Sequence, residues 1–128
     1  MNIVFLDAET LGSDSDLAPI ASLGRLTVYG RTAPEETCER IGRADIVITN
    51  KVIIDRQVMD RAPCLRLICV AATGMNNVDL SCAQQRGIEV RNVAGYSTES
   101  VVQLTFSHVL YLVCQHRYYD SYAKSAWK

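Results

Sequence analysis

One stretch, residues 67 to 98, limits the possible folds more than any other part of the chain. It begins with an apolar run, Leu67 to Ala72, whose length suits a buried strand and which stops at Thr73-Gly74, where the backbone can turn. Helix-starting residues follow at Asn76 to Asp79, and we expect that helix to end at Gly87. The stretch therefore predicts a strand, a turn and a helix in close succession.

A second strand in this stretch, Ile88 to Arg91, runs into another glycine turn at Gly95. Two strand-to-glycine turns so close together place two loops at the same edge of a parallel sheet. Ligands of open α/β folds bind at that edge. We therefore look for function there.

The preceding residues alternate in the same way, without repeats or low-complexity linkers. Apolar runs predict strands at Ile3 to Leu6, Leu26 to Tyr29 and Asp45 to Ile48, and the segments between them predict helices at Asp16 to Ser22, Pro34 to Ile41 and Asp55 to Arg61. Alternation of strand and helix implies parallel strands joined by right-handed crossovers. The prediction is an α/β fold, a flavodoxin-like doubly wound sheet of five parallel strands.

The chain changes character after Thr98. Residues Glu99 to Tyr119 contain neither glycine nor proline and predict one long helix, with apolar side chains on more than one face. The helix is too polar to predict a membrane span. We expect a sheet domain at residues 1–98, followed at residues 99–128 by this helix. Trp127 and the nearby tyrosines are expected to pack against protein.

Composition limits the function classes. The chain has 128 residues and a net charge of -1, with basic residues scattered singly, so we expect no nucleic-acid partner. The N-terminus lacks the pattern of a signal peptide, which predicts a cytoplasmic protein. Five irregularly spaced cysteines without a CxxC pair predict reduced thiols and no metal site.

Candidate ligand-binding residues follow two of the predicted strands. Thr73 and Gly74 offer successive backbone N–H groups, which can hold a carboxylate without a charged side chain. Asn50 and Lys51 end the neighbouring strand at the same edge, and the alternative for them is an ordinary solvated loop.

Other polar residues have simpler interpretations. Asp7 and Glu9 follow the first strand, where such carboxylates cap or solvate a turn more often than they do acid-base chemistry. His108 and His116 have no serine, cysteine or carboxylate at a useful spacing, which favours structural roles. The chain has no GxGxxG and no P-loop, so a nucleotide phosphate site has no support.

Five segments together carry a resemblance. The segments LDAETL, ADIVITNKV, ICVAATGMNNVD, RGIEVRNVAGYST and ESVVQLTF occur in this order over nearly the whole chain. In this combination the chain resembles the N-terminal substrate-binding part of the NAD-dependent D-2-hydroxyacid dehydrogenases, and most of all their glycerate dehydrogenase or hydroxypyruvate reductase branch.

The resemblance implies roles for the candidate residues. It places the backbone amides of Thr73 and Gly74 on the substrate carboxylate, Asn50 and Lys51 beside the substrate, and Thr98 near the nicotinamide end of the cofactor. It also implies that the catalytic Arg, Glu and His belong to a cofactor domain beyond Lys128. No catalytic residue is therefore expected within the chain itself.

Two functions follow from the resemblance. In the first, the parent protein interconverts a 2-keto acid, of the hydroxypyruvate or glyoxylate type, and its D-2-hydroxy acid with NAD or NADP. The sequence leaves open which keto acid and which of the two cofactors it uses. In the second, the chain as it stands is an inactive binding domain that holds no cofactor. For the chain as it stands, we expect the apolar helix to form a homodimer or higher oligomer through residues 99–119.

Overall fold

The computed structural model describes residues 1–12 and 14–126 and contains one parallel sheet. Its strands are β1 (Asn2–Phe5), β2 (Arg25–Val28), β3 (Ile46–Thr49), β4 (Leu67–Val70) and β5 (Glu89–Asn92). The order across the sheet is β2-β1-β3-β4-β5, with every pair parallel. This is the flavodoxin-like order, so the predicted fold class is confirmed. Each strand overlaps a predicted one, with ends that differ by at most two residues.

Short helices connect the strands. They are a 3₁₀ helix (Ala8–Leu11), α1 (Ala18–Ala21), α2 (Pro34–Ile41), α3 (Arg56–Asp60) and α4 (Leu80–Gln85). The carboxylates of Asp55 and Asp79 accept hydrogen bonds from Val58 N (2.9 Å) and Cys82 N (2.8 Å), which satisfies donors in the first turns of α3 and α4. The helix from Pro34 to Ile41 has the predicted bounds.

Alternation along the strands divides the core between the two faces of the sheet. Val4, Val47 and Ile68 point to one face, where buried residues of α2, α3 and α4 complete the larger cluster. Ile3 and Phe5 belong to the other face, with residues of the 3₁₀ helix and of α1 packed against them. Helices therefore cover the sheet on both sides, as expected for a doubly wound fold.

The predicted single helix over residues 99–119 is wrong in one respect, because two helices replace it. α5 spans Thr98–Val113 and α6 spans His116–Ala126. Between them Gln115 adopts a left-handed conformation with φ 51°, which ends the first helix, and its carbonyl accepts from Tyr118 N (2.9 Å) as the second begins. Neither glycine nor proline marks this break.

Two compact units make up the chain: the sheet unit, Met1–Ala94, and a helical unit that begins at Gly95. The predicted domain boundary after residue 98 stays a prediction. The role predicted for Trp127 lies outside the described residues. In the part of the chain that the structure describes, no helix is long and apolar enough to cross a membrane.

Candidate functional site

Four of the five predicted site residues follow neighbouring strands. Asn50 and Lys51 come directly after β3, while Thr73 and Gly74 follow β4, which pairs with β3 in parallel. The Ala71 N–H donates to Thr49 O (2.8 Å) just before the two chains diverge into loops. The sheet therefore places both loops at its carboxyl edge, as predicted.

Hydrogen bonds join these two loops to each other. Asn77 Nδ2 donates to Val52 O (3.0 Å), and Ile54 N donates to Asn77 O (2.8 Å). Asp79 N in turn donates to Ile54 O (3.0 Å). Three hydrogen bonds thus connect the β3–α3 loop to the β4–α4 loop.

Thr73 is also tied to the end of β5. Its hydroxyl donates to Val93 O (3.1 Å), and its carbonyl accepts from Asn92 Nδ2 (2.7 Å). The backbone N–H groups of Thr73 and Gly74 have no acceptor among residues 1–12 and 14–126, and both residues are exposed. Two adjacent donors on an immobilised loop can bind a small anion.

The prediction that Asp7 caps or solvates the turn after β1 is wrong. It is buried, and its carboxylate makes no capping bond to the 3₁₀ helix that follows. Instead Oδ1 accepts from Asn50 N (2.9 Å) and Oδ2 from Lys51 N (2.6 Å). Glu9 does remain exposed, where it pairs with Arg31 (2.7 Å). A partner more than 40 residues away leaves no local sequence signal, which explains the error.

The bonds to Asp7 restrict what Asn50 and Lys51 can offer a ligand. Because the carboxylate takes both backbone N–H groups, only the two side chains remain available. Asn50 Oδ1 is buried and has no hydrogen-bond partner within the described part of the chain, an uncommon state for a polar atom in a folded protein. Lys51 is exposed and forms no ion pair with any described residue.

A groove of about 920 Å³ opens beside Asp7 and Lys51. Residues of α2, α3 and the β2–α2 loop line it. The lining contains acidic and basic side chains, and the basic ones include Arg31 and Arg61. Among the described residues, its lining does not include Thr73 or Gly74. The groove therefore adjoins one of the two candidate loops.

Thr98 belongs to the other unit of the chain. It is the first residue of α5, and its N–H donates to Gly95 O (3.4 Å). Its predicted place near the nicotinamide end of a cofactor stays a prediction.

The surroundings of Cys69 and His108 favour structural roles for both residues. All five cysteines are free, and burial raises the pKa of the Cys69 thiol, with a further increase from Glu89. A raised pKa leaves less of the nucleophilic thiolate at neutral pH. His108 Nδ1 lies 3.0 Å from Leu104 O in its own helix. No group of three His, Cys, Asp or Glu residues could hold a metal ion in the range described.

Three residues that organise the site were missed in the sequence: Asp7, Asn77 and Asn92. Asp7 and Asn92 share one signal, because each is a polar residue at the carboxyl end of a strand. Asn77 was assigned only to the start of a helix, although its amide bridges the two loops.

Comparison with known proteins agrees with the fold and the motifs. The family described as D-isomer specific 2-hydroxyacid dehydrogenase, catalytic domain, matches residues 3–126. The chain is 42% identical over 120 residues to the hydroxypyruvate reductase of Blautia hydrogenotrophica, a match that covers 91% of this chain and 37% of that protein. It is 37% identical over 110 residues to the glycerate dehydrogenase of Methylorubrum extorquens, with 82% of this chain and 34% of that protein covered.

Among solved structures, the D-lactate dehydrogenase of Aquifex aeolicus complexed with NAD and lactic acid has a TM-score of 0.75 at 22% identity, over 96% of this chain and 37% of that chain. This likeness concerns the fold alone. The chain spans about a third of the length of the curated relatives that it matches. The match over residues 3–126 confirms the resemblance seen in the sequence: the chain belongs to the D-isomer-specific 2-hydroxyacid dehydrogenase family.

Proposed function

We propose that this chain is the substrate-binding part of an enzyme that interconverts a 2-keto acid and its D-2-hydroxy acid by hydride transfer. The keto acid is of the hydroxypyruvate or glyoxylate type, in line with the names of the relatives. The observation that carries the proposal is the pair of adjacent N–H groups at Thr73 and Gly74 without an acceptor among the described residues.

In this proposal the two amides bind the substrate carboxylate. Backbone dipoles held in place by the rest of a loop stabilise an anion without the reorganisation that a flexible side chain needs. The hydroxyl and the carbonyl of Thr73 already bond to Val93 and Asn92, so the loop is held while its N–H groups have no acceptor in the described part of the chain. The chain thereby orients the keto acid for attack at its carbonyl carbon.

Asn50 and Lys51 contribute through their side chains, since their backbone donors are occupied. The Lys51 ammonium adds positive charge near the substrate carboxylate. Thr98 would lie near the nicotinamide end of an NAD or NADP cofactor, which would supply the hydride when bound. The groups that polarise the carbonyl and deliver the proton belong to the remaining two thirds of such an enzyme.

A chimera tests this assignment. The chain replaces the matching 120 residues of the Blautia hydroxypyruvate reductase, and we expect the product to reduce hydroxypyruvate with NADH or NADPH. In it Gly74→Asp places a carboxylate beside that of the substrate, so KM should rise at least about tenfold through charge repulsion.

Gly74→Asn is the matched control, because it has the same shape without the charge. A Cβ at Gly74 lies 3.3 Å from Asn76 Oδ1, so both variants require the same small adjustment. If Gly74→Asp and Gly74→Asn have equal KM values, this loop does not bind the carboxylate. A chimera without hydroxypyruvate reduction would contradict the proposed function itself.

The alternative treats the chain on its own as a binding domain. By itself it has no glycine-rich phosphate loop, so we propose that it binds no NAD or NADP measurably and has no dehydrogenase activity. We further propose that it forms a homodimer or higher oligomer through residues 99–119, where the apolar side chains of α5 are exposed. A cytoplasmic location stays a prediction of the sequence.

A further inference from the structure

The Asp7 carboxylate links the end of β1 to the first residues after β3. We infer that Asp7 is a positioning residue for the substrate site, which holds the β3–α3 loop so that the side chains of Asn50 and Lys51 meet the keto acid. This inference rests on the proposed function. It adds a residue that would not touch the substrate and would act only through the loop.

Among residues 1–12 and 14–126, every polar contact of the Asp7 carboxylate is with one short segment. Asn50 N lies 2.9 Å from Oδ1 and 3.1 Å from Oδ2, and Lys51 N lies 2.6 Å from Oδ2. The Thr49 hydroxyl is 3.5 Å from Oδ2, and the same oxygen atom of Thr49 accepts from Val52 N (3.0 Å). Residues 49 to 52 are therefore tied together around one carboxylate.

Burial makes these contacts obligatory. Asp7 is only 4% exposed, and a charge removed from water is tolerated only where hydrogen bonds compensate it. Charge-assisted bonds to backbone N–H groups are shorter and stronger than neutral ones. The loop therefore cannot move away without leaving the carboxylate buried and unsatisfied, so its position is tightly coupled to Asp7.

No cationic side chain neutralises Asp7 within the described residues. The backbone N–H of Lys51 donates to Asp7 at 2.6 Å, and its ammonium group forms no ion pair with residues 1–12 or 14–126. The positive charge of Lys51 is consequently not neutralised by any described residue, and both Lys51 and Asp7 line the groove. Bonds to backbone N–H groups without a cationic partner favour a positioning role for Asp7 over that of a purely structural salt bridge.

Asp45 provides a matched control at the opposite edge of the sheet. Its carboxylate also accepts from a backbone amide, Asn2 N (2.7 Å), and contacts Arg66 at 3.5 Å. It precedes β3, whereas the candidate loop follows β3. Asp7→Asn and Asp45→Asn therefore remove the same charge from the same kind of bond at two different places.

The first measurement is amide hydrogen exchange by NMR on the 128-residue chain. Asn has one acceptor oxygen and presents an NH₂ group to the second amide, so Asp7→Asn should accelerate exchange at Asn50 and Lys51 by about tenfold. Asp45→Asn should leave both rates unchanged. Equal exchange at the two amides in the unsubstituted chain and in Asp7→Asn would overturn the inference.

The second measurement is the kinetics of the chimera. Asp7→Asn should raise KM for hydroxypyruvate by about tenfold while kcat changes less than about threefold, because the loop orients the substrate without taking part in the chemistry. Asp45→Asn should leave KM unchanged. A role in fold stability alone predicts no change of KM in the folded Asp7→Asn enzyme, and that result would also overturn the inference.

A second variant tests the inference if Asp7→Asn does not fold. Thr49→Val keeps the shape of the side chain and removes the hydroxyl that accepts from Val52 N, so it should raise KM in the same direction by a smaller factor. An unchanged KM in Thr49→Val would contradict the coupling of the loop to the site. If the unsubstituted chimera shows no turnover, the proposed function fails, and the exchange rates alone decide whether Asp7 holds the loop.

Discussion

Two glycines at helix ends differ in their backbone conformation, and this difference is measurable. Gly87 follows α4 with φ 68°, a left-handed conformation that L-residues rarely adopt, whereas Gly42 follows α2 with φ -51°. We expect Gly87→Ala to lower the free energy of unfolding by roughly 1–2 kcal/mol. Gly42→Ala should leave it unchanged or raise it by about 0.4–1 kcal/mol, because alanine restricts only the unfolded chain. Urea denaturation of both variants measures the two values.

Space around the two positions does not account for the expected difference. A Cβ at Gly87 meets no described atom within 4 Å, and one at Gly42 meets Cys38 O at an ordinary 3.5 Å. Any decrease in the free energy of unfolding of Gly87→Ala therefore reports backbone strain. Equal stabilities of the two variants would contradict this interpretation.

Gly87 and Asp7 show which roles of single residues can be predicted from the sequence. Gly87 was predicted as a helix end because a glycine after an amphipathic run is a local signal. The role of Asp7 was not predicted, because its partners Asn50 and Lys51 lie 43 and 44 positions away. Spacing along a sequence does not encode which loop a carboxylate will meet at the edge of a sheet.

At the scale of elements, periodicity predicted the strands and their order, and less of the helical unit. Apolar runs of strand length bounded by turn residues are local, so the five strands could be found within one or two residues. The break after Val113 could not be predicted, because the left-handed residue there is Gln115 and neither glycine nor proline lies near it in the sequence. The bridge from Asn77 to Val52 was missed for the same reason as Asp7, because it is a long-range contact.

α5 carries the prediction about assembly. Val102, Phe106, Val109 and Val113 form a stripe at helical spacing, and all four are exposed, Phe106 by 64% and Val113 by 74%. Between Glu99 and Arg117 the sequence has no Asp, Glu, Lys or Arg, so a second copy meets no like charge across a two-fold axis. Burying each such side chain contributes roughly 1.5–3 kcal/mol, which favours self-association.

Light scattering on the purified chain tests this assembly. We expect a dimer or higher oligomer at micromolar concentration, and Phe106→Glu should dissociate it because a buried unpaired carboxylate is costly. Val28→Glu, at an exposed position of β2 in the sheet unit, is the control and should leave the assembly intact. A monodisperse monomer of the unsubstituted chain at high micromolar concentration would contradict the proposal.

At the scale of the whole molecule, the proposed function assigns substrate orientation to this chain and the reduction of the substrate to the rest of the enzyme. In the proposed function, the backbone amides of Thr73 and Gly74, which have no acceptor among the described residues, and the side chains of Asn50 and Lys51 bind the substrate. Hydride transfer needs a bound donor and a keto acid held together in reacting geometry, and much of the rate enhancement of such a reaction comes from that arrangement. Binding one partner alone supplies little of it.

We therefore expect no turnover when the purified 128-residue chain is mixed with NADH and hydroxypyruvate and absorbance at the nicotinamide band is followed. The chimera, which carries the same site residues, should turn over under identical conditions and so shows that the assay works. Calorimetric titration of the chain with NADH should give no binding heat. Turnover by the chain alone would mean that its own residues bind the cofactor and activate the carbonyl, and the assignment of those tasks to the rest of the enzyme would then be wrong.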